Sequence, residues 1–131
     1  MTHTVYHTVC VIRYPMAPDP LDNLRLELRR GCLALAVLAA LRRERYGYTL
    51  RKALADHGMA MDEGTLYPLL RRLEAQGLLE SQWREEDKRS KRFYHLSEAG
   101  ERALAQLESE WADLAASVER ILRENDHGPV A

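Results

Sequence analysis

The chain is poor in almost everything that marks an enzyme, a secreted scaffold or a membrane protein. It has two cysteines in 131 residues, Cys10 and Cys32, too few for a disulfide framework or a cysteine metal site. Cys32 falls inside a helical run and is expected to be a small core residue. The longest apolar run, residues 32–41, is too short to cross a bilayer and suits a buried helix. The N-terminus lacks the charged-then-apolar layout of a signal peptide, so a cytoplasmic location is expected. The histidines, His3, His7, His57, His95 and His127, are scattered. Only His3 and His7 stand four apart, and no carboxylate completes a site around them. A phosphate-binding glycine loop and a nucleophile elbow are both missing. These absences point away from catalysis, and neither a metal nor a cofactor is implied.

Little net charge is left over either: −1 for the whole chain. Its distribution says more. Residues 1–96 carry 16 Lys+Arg against 12 Asp+Glu, and residues 97–131 carry three against eight. The first part can therefore approach a polyanion, while the second should face away from it.

What is present is concentrated in residues 61–100, MDEGTLYPLLRRLEAQGLLESQWREEDKRSKRFYHLSEAG. Leu66, Leu69, Leu70 and Leu73 form one apolar face of a helix, with Arg71, Arg72 and Glu74 largely off it. Asp62 and Glu63 read as a cap and a dipole partner at its start. Pro68 removes one helical hydrogen bond, at limited cost so near that start. Gly77 ends the helix. Residues 78–84 and 92–96 then read as paired strands around EEDKRSK, which is too polar to bury. Four of the five residues from 88 to 92 are basic. A helix followed by a basic-tipped hairpin is the layout of a winged helix-turn-helix, with the helix suited to a major groove and the tip to the DNA backbone.

Around this segment the spacing predicts a first helix over residues 22–43, apolar nearly all round from 33 to 41, and a second over 49–57. Residues 1–20, with three prolines between 15 and 20, are expected to be a mobile extension outside the domain. The winged helix-turn-helix would then occupy 21–96. A last helix should start after Ser97 as N-cap and run to about 124, before a frayed tail over 125–131. Leu104, Leu107, Trp111, Leu114, Val118 and Ile121 recur along it at alternating spacings of three and four, a heptad seam. Such a seam needs a partner, either the first helix of its own chain or the same helix of a second copy.

Residues 24–122 resemble the PadR family of bacterial transcriptional regulators. The matching residues are Tyr46–Gly47–Tyr48, GTLYPLLRRLEAQGLLES from Gly64 to Ser81, Trp83, and FYHLSEAG from Phe93 to Gly100. Two positions depart from the family pattern. Lys88 and Ser90 stand where the wing tip usually carries glycine and proline, and Glu63 precedes GTLYP in place of a small or neutral residue.

The expected fold is thus mainly α, a winged helix-turn-helix with a two-stranded β wing and a long C-terminal helix. The expected DNA contacts are Thr65, Tyr67, Arg71 and Arg72 on the third helix and Lys88, Arg89, Lys91 and Arg92 on the wing. Arg71, four residues after Tyr67, suits the groove-facing side better than Arg72. Glu63 would either repel a phosphate or accept from a cytosine amino group. Trp83 is expected to pack in the hairpin. Trp111 would anchor the dimer seam, or, as likeness to multidrug-sensing PadR-like repressors implies, wall a site for a small aromatic effector. The resemblance implies repression of transcription; the heptad seam points to a homodimer, and a two-fold dimer to a pseudo-palindromic operator. The rival reading is a winged helix that binds protein, which an exposed apolar face on the third helix would favour.

Overall fold

The computed structural model describes residues 19–124. The expectations for the extension, for His3, His7 and Cys10, and for the tail fall outside those residues. The chain divides into two compact units at Cys32–Leu33. The first helix, α1 (Pro20–Ala40), crosses that division. It opens on Pro20, whose missing N–H costs nothing at a helix start, and the Asp19 carboxylate accepts from the Leu21 N–H at 3.0 Å. In the first unit Leu21, Leu24, Leu26 and Leu28 are all exposed.

In the second unit the helix turns inward. Leu33, Val37, Leu38 and the following Leu41 are buried, as the apolar run requires. The helix ends three residues earlier than expected, where the Arg45 side chain donates to the Ala40 carbonyl at 2.9 Å. A cation on a terminal carbonyl suits the negative end of the helix. The next residues form a strand the periodicity could not show, because it is two residues long: β1 (Arg45–Tyr46).

Helices α2 (Gly47–Asp56) and α3 (Glu63–Ala75) follow. The hairpin strands β2 (Leu79–Glu86) and β3 (Arg89–Leu96) pair along their full lengths, from Leu79↔Leu96 to Glu86↔Arg89. They are longer than the sequence suggested. A solvated ladder needs only its backbone hydrogen bonds and a suitable turn, so the polar EEDKRSK can be strand without burial. The turn is Asp87–Lys88, both at positive φ (53° and 65°), the two-residue form that matches strand twist. β1 pairs antiparallel with β3 through Arg45↔Tyr94 and Tyr46↔Phe93, giving a three-stranded sheet in the order β1-β3-β2.

Helix α4 (Glu98–Glu124) completes the chain. Ser97 caps it as expected. Its hydroxyl accepts from the Gly100 N–H at 3.0 Å and donates to the Gly77 carbonyl at 2.6 Å. A Cβ on Gly100 would lie 2.0 Å from the Leu78 carbonyl oxygen, so glycine is what lets the helix start against the end of α3. Leu38, Leu41, Leu50, Leu66 and Leu70 form the fully buried centre.

Candidate nucleic-acid interface

Helix α3 places its four leucines, Leu66, Leu69, Leu70 and Leu73, inside, and Arg71 and Arg72 outside. Its start is capped by Asp62, whose carboxylate accepts from the Thr65 N–H at 3.0 Å. The Thr65 hydroxyl and backbone N–H together hold the Asp62 carboxyl below its ordinary value. The groups of Thr65 that the sequence offered to a phosphate are therefore turned to Asp62. Glu63 is paired with Arg51 of α2 at 3.2 Å, which ties the two helices and offsets its charge.

Tyr67 is half-buried against the core. A Cβ on Gly47 would lie 2.1 Å from its hydroxyl oxygen, so the two halves of the motif, Tyr-Gly-Tyr and GTLYP, fit one into the other. Tyr67 and Arg71 face a common groove of about 490 Å³ between α2, α3 and the wing. Arg72 does not line it. Tyr48 and Arg51 enter the groove from α2, and Trp83 and Arg89 from the wing.

The four wing cations separate into two pairs. Lys88 and Arg89 at the tip are exposed. Lys91 is turned inward, its side chain 17% exposed, with the ammonium 4.5 Å from the Tyr46 ring centroid and 3.4 Å from Glu86. Burial lowers its pKa, but hydrogen bonds to Tyr46 and Glu86 outweigh that and hold it above the ordinary lysine value. Arg92 donates to Glu74 of α3 at 3.0 Å and to Ser81 of β2 at 2.9 Å. The basic run thus supplies two charges at the exposed tip, while Lys91 and Arg92 line the groove and have partners within the chain.

Trp83 also differs from expectation. It is 62% exposed and stands at the groove beside Arg92. Alternation along β2 puts it on the same side as buried Leu79 and half-buried Ser81, but past the edge of the core. That alternation was the available signal; the extent of the core was not. Arg51 carried no signal of its own and Tyr48 only its place in the Tyr-Gly-Tyr match, since the packing of α2 on α3 brings them to the groove.

The seam of α4 is divided too. Leu104 is 4% exposed and belongs to the core of its own chain, so it is removed from the expected interface. Leu107, Trp111, Leu114, Val118 and Ile121 are 36–63% exposed. Among the described residues no group of three or more His, Cys, Asp or Glu side chains could hold a metal ion, and no helix is long and apolar enough to cross a membrane.

Residues 35–106 match the transcriptional regulator PadR-like family. The transcriptional regulator Rv3488 of Mycobacterium tuberculosis is 40% identical over 93 residues, which cover 70% of this chain and 87% of that protein. Among solved structures, a PadR family transcriptional regulator from Eggerthella lenta is 44% identical with a TM-score of 0.73, covering 78% of this chain and 91% of that one. A PadR-like transcription factor from Bacteroides fragilis is 32% identical with a TM-score of 0.64, covering 76% and 99%. These relatives are transcriptional regulators, not enzymes.

Proposed function

Because the chain belongs to the PadR-like family of transcriptional regulators, we propose that it is a homodimeric repressor that reads a pseudo-palindromic operator with α3 and the wing. Family membership carries DNA-binding regulation; the repression, the dimer and the contacting residues are the content of the proposal. The observation that supports it best is the groove lined by Arg71 on one side and by Arg89 of the wing on the other, with exposed Lys88 next to Arg89 at the tip. A helix seated in the major groove would bring Arg71 toward base edges, while the tip cations meet phosphates. Tyr67 and Trp83 line the same groove, and Arg72 is exposed on α3 outside it. The rival, a protein-binding winged helix, needs an apolar face on α3, yet the four leucines there are buried and the exposed residues include Glu63, Thr65, Arg71 and Arg72.

The exposed apolar stripe of α4 is the face proposed for the second copy. Two α3 helices related by a two-fold axis would meet half-sites about one helical turn, or a multiple, apart. A small aromatic effector would lie against Trp111, whose indole is half exposed in the middle of that stripe, and would act by favouring one dimer arrangement. In a Trp83→Phe variant, quenching of Trp111 fluorescence by planar aromatic compounds, together with altered DNA affinity, tests that site.

The decisive experiment is selection of bound duplexes from a random pool. A paired half-site motif is expected. Replacing Lys88 and Arg89 with alanine should lower the salt dependence of binding by about 0.9 per lost phosphate contact, and Arg71→Ala should cost about 1–3 kcal/mol and relax the preference at one position. Failure of any duplex sequence to be enriched overturns the reading.

A further inference from the structure

Glu74 is badly placed by two independent rules. It lies in the last turn of α3, where the helix dipole disfavours a carboxylate, and it is bonded to Arg92, which lines the groove that is to approach phosphates. Its surroundings account for it. One carboxylate oxygen accepts from the Arg92 guanidinium at 3.0 Å, and the other accepts from the Ser81 hydroxyl at 2.6 Å. The Arg92 Nε donates to that same Ser81 oxygen at 2.9 Å, which closes a ring across α3, β2 and β3. The Glu74 and Arg92 side chains are 27% and 37% exposed. The guanidinium also lies 5.6 Å from the ring centroids of both Trp83 and Tyr94, so it is enclosed by aromatic faces as well.

We propose that Glu74, Ser81 and Arg92 form a strut that sets the angle of the wing on α3, which makes Arg92 a positioning residue for DNA binding. The inference rests on the DNA-binding reading above. The wing is anchored at its base, where Leu79 and Leu96 are buried, and β1 holds β3 at Phe93 and Tyr94. Beyond those rungs it is a two-stranded ribbon, which has little stiffness of its own. From Arg92 to the tip is about four residues, on the order of 13 Å. A swing of about 10° there displaces Lys88 and Arg89 by about 2 Å, enough to break a hydrogen bond to phosphate. The ring of hydrogen bonds opposes that swing at the rung where the ribbon leaves its support.

Charge alone and the strut predict opposite signs for one substitution. Glu74→Gln removes a negative charge from the DNA-facing side. If Arg92 were a phosphate contact and Glu74 its competitor, the variant would bind DNA more tightly. With the strut it binds about tenfold more weakly. Arg92→Lys keeps the charge but cannot span Ser81 and Glu74 together. Its expected loss is about the same, with an unchanged salt slope, and the double variant should be no weaker than either single one. Affinity is measured by anisotropy on the selected operator across a salt series, with thermal unfolding of the free protein alongside. Ser81→Ala supplies the arm that leaves both charges in place, with an expected loss of about threefold. Tighter binding by Glu74→Gln, or native affinity in Arg92→Lys with a slope reduced by about 0.9 per wing in Arg92→Met, overturns the strut. Wild-type protein that enriches and binds no duplex overturns the DNA-binding reading as well, so the two failures are distinguishable.

Discussion

Helices α3 and α4 are written in one pattern and reach opposite ends. Each carries apolar residues at spacings of three and four. In α3 all four leucines are buried; in α4 only Leu104 is, and the stripe from Leu107 to Ile121 is open. The difference is reach. The 13 residues of α3 lie along the core, whereas α4 has 27, about 40 Å of helix, more than so small a core can cover. Periodicity reports that a helix has an apolar side. It does not report whether the cover for that side comes from the same chain.

The largest expected effect tests the open half of this contrast. Trp111→Asp combined with Leu114→Asp should leave each chain folded and abolish association, which for a dimer of micromolar dissociation constant is about 8 kcal/mol. Light scattering distinguishes the two states, and a wild-type chain that is monomeric at micromolar concentration breaks the contrast outright. On the closed half, Leu70→Ala empties a fully buried site and should cost about 2–5 kcal/mol in urea unfolding, at any protein concentration. A loss that varied with concentration would mean that α3 too is completed by a second chain.

Two smaller effects sharpen the α3 side at its borders. Lys88 sits at φ 65° in the wing turn, a conformation that costs a side chain about 1 kcal/mol. Lys88→Gly should therefore raise stability by up to about 1 kcal/mol in the same unfolding assay while weakening DNA binding, which separates the needs of the turn from those of the interface. The smallest effect is at Asp62. Its folded pKa lies below the ordinary 3.8 because of Thr65. Its contribution is therefore present above that value and is lost as the pH falls through the lower, folded one. The thermal midpoint of Asp62→Asn should fall less on acidification than that of wild type, since an amide oxygen caps the helix at any pH. Equal slopes would show that ionisation of Asp62 adds nothing to the cap.

Most of the fold was legible because its signals are local. Leucine spacing marked α3, Gly77 its end, and Ser97 the start of α4. The site was legible only as a set of candidates. Lys88 and Arg89 are outward, but Lys91 and Arg92 were indistinguishable from them in the sequence. Their partners, Tyr46 and Glu74, stand 45 and 18 residues away. The strand β1 was hidden for a related reason, since two residues make no period and its evidence lies in the pairing with β3.

The sequence by itself determined where helices start and stop, which side of each is apolar, and that the charge is basic through the wing and acidic beyond it. Those properties depend on neighbours a few residues apart. Only the tertiary structure decided which cations remain free, which leucines stay uncovered, and that Trp83 stands at the groove. Each of those depends on which groups meet across the fold, and a charge or an apolar side chain is available to a partner only when its own chain has left it unmatched.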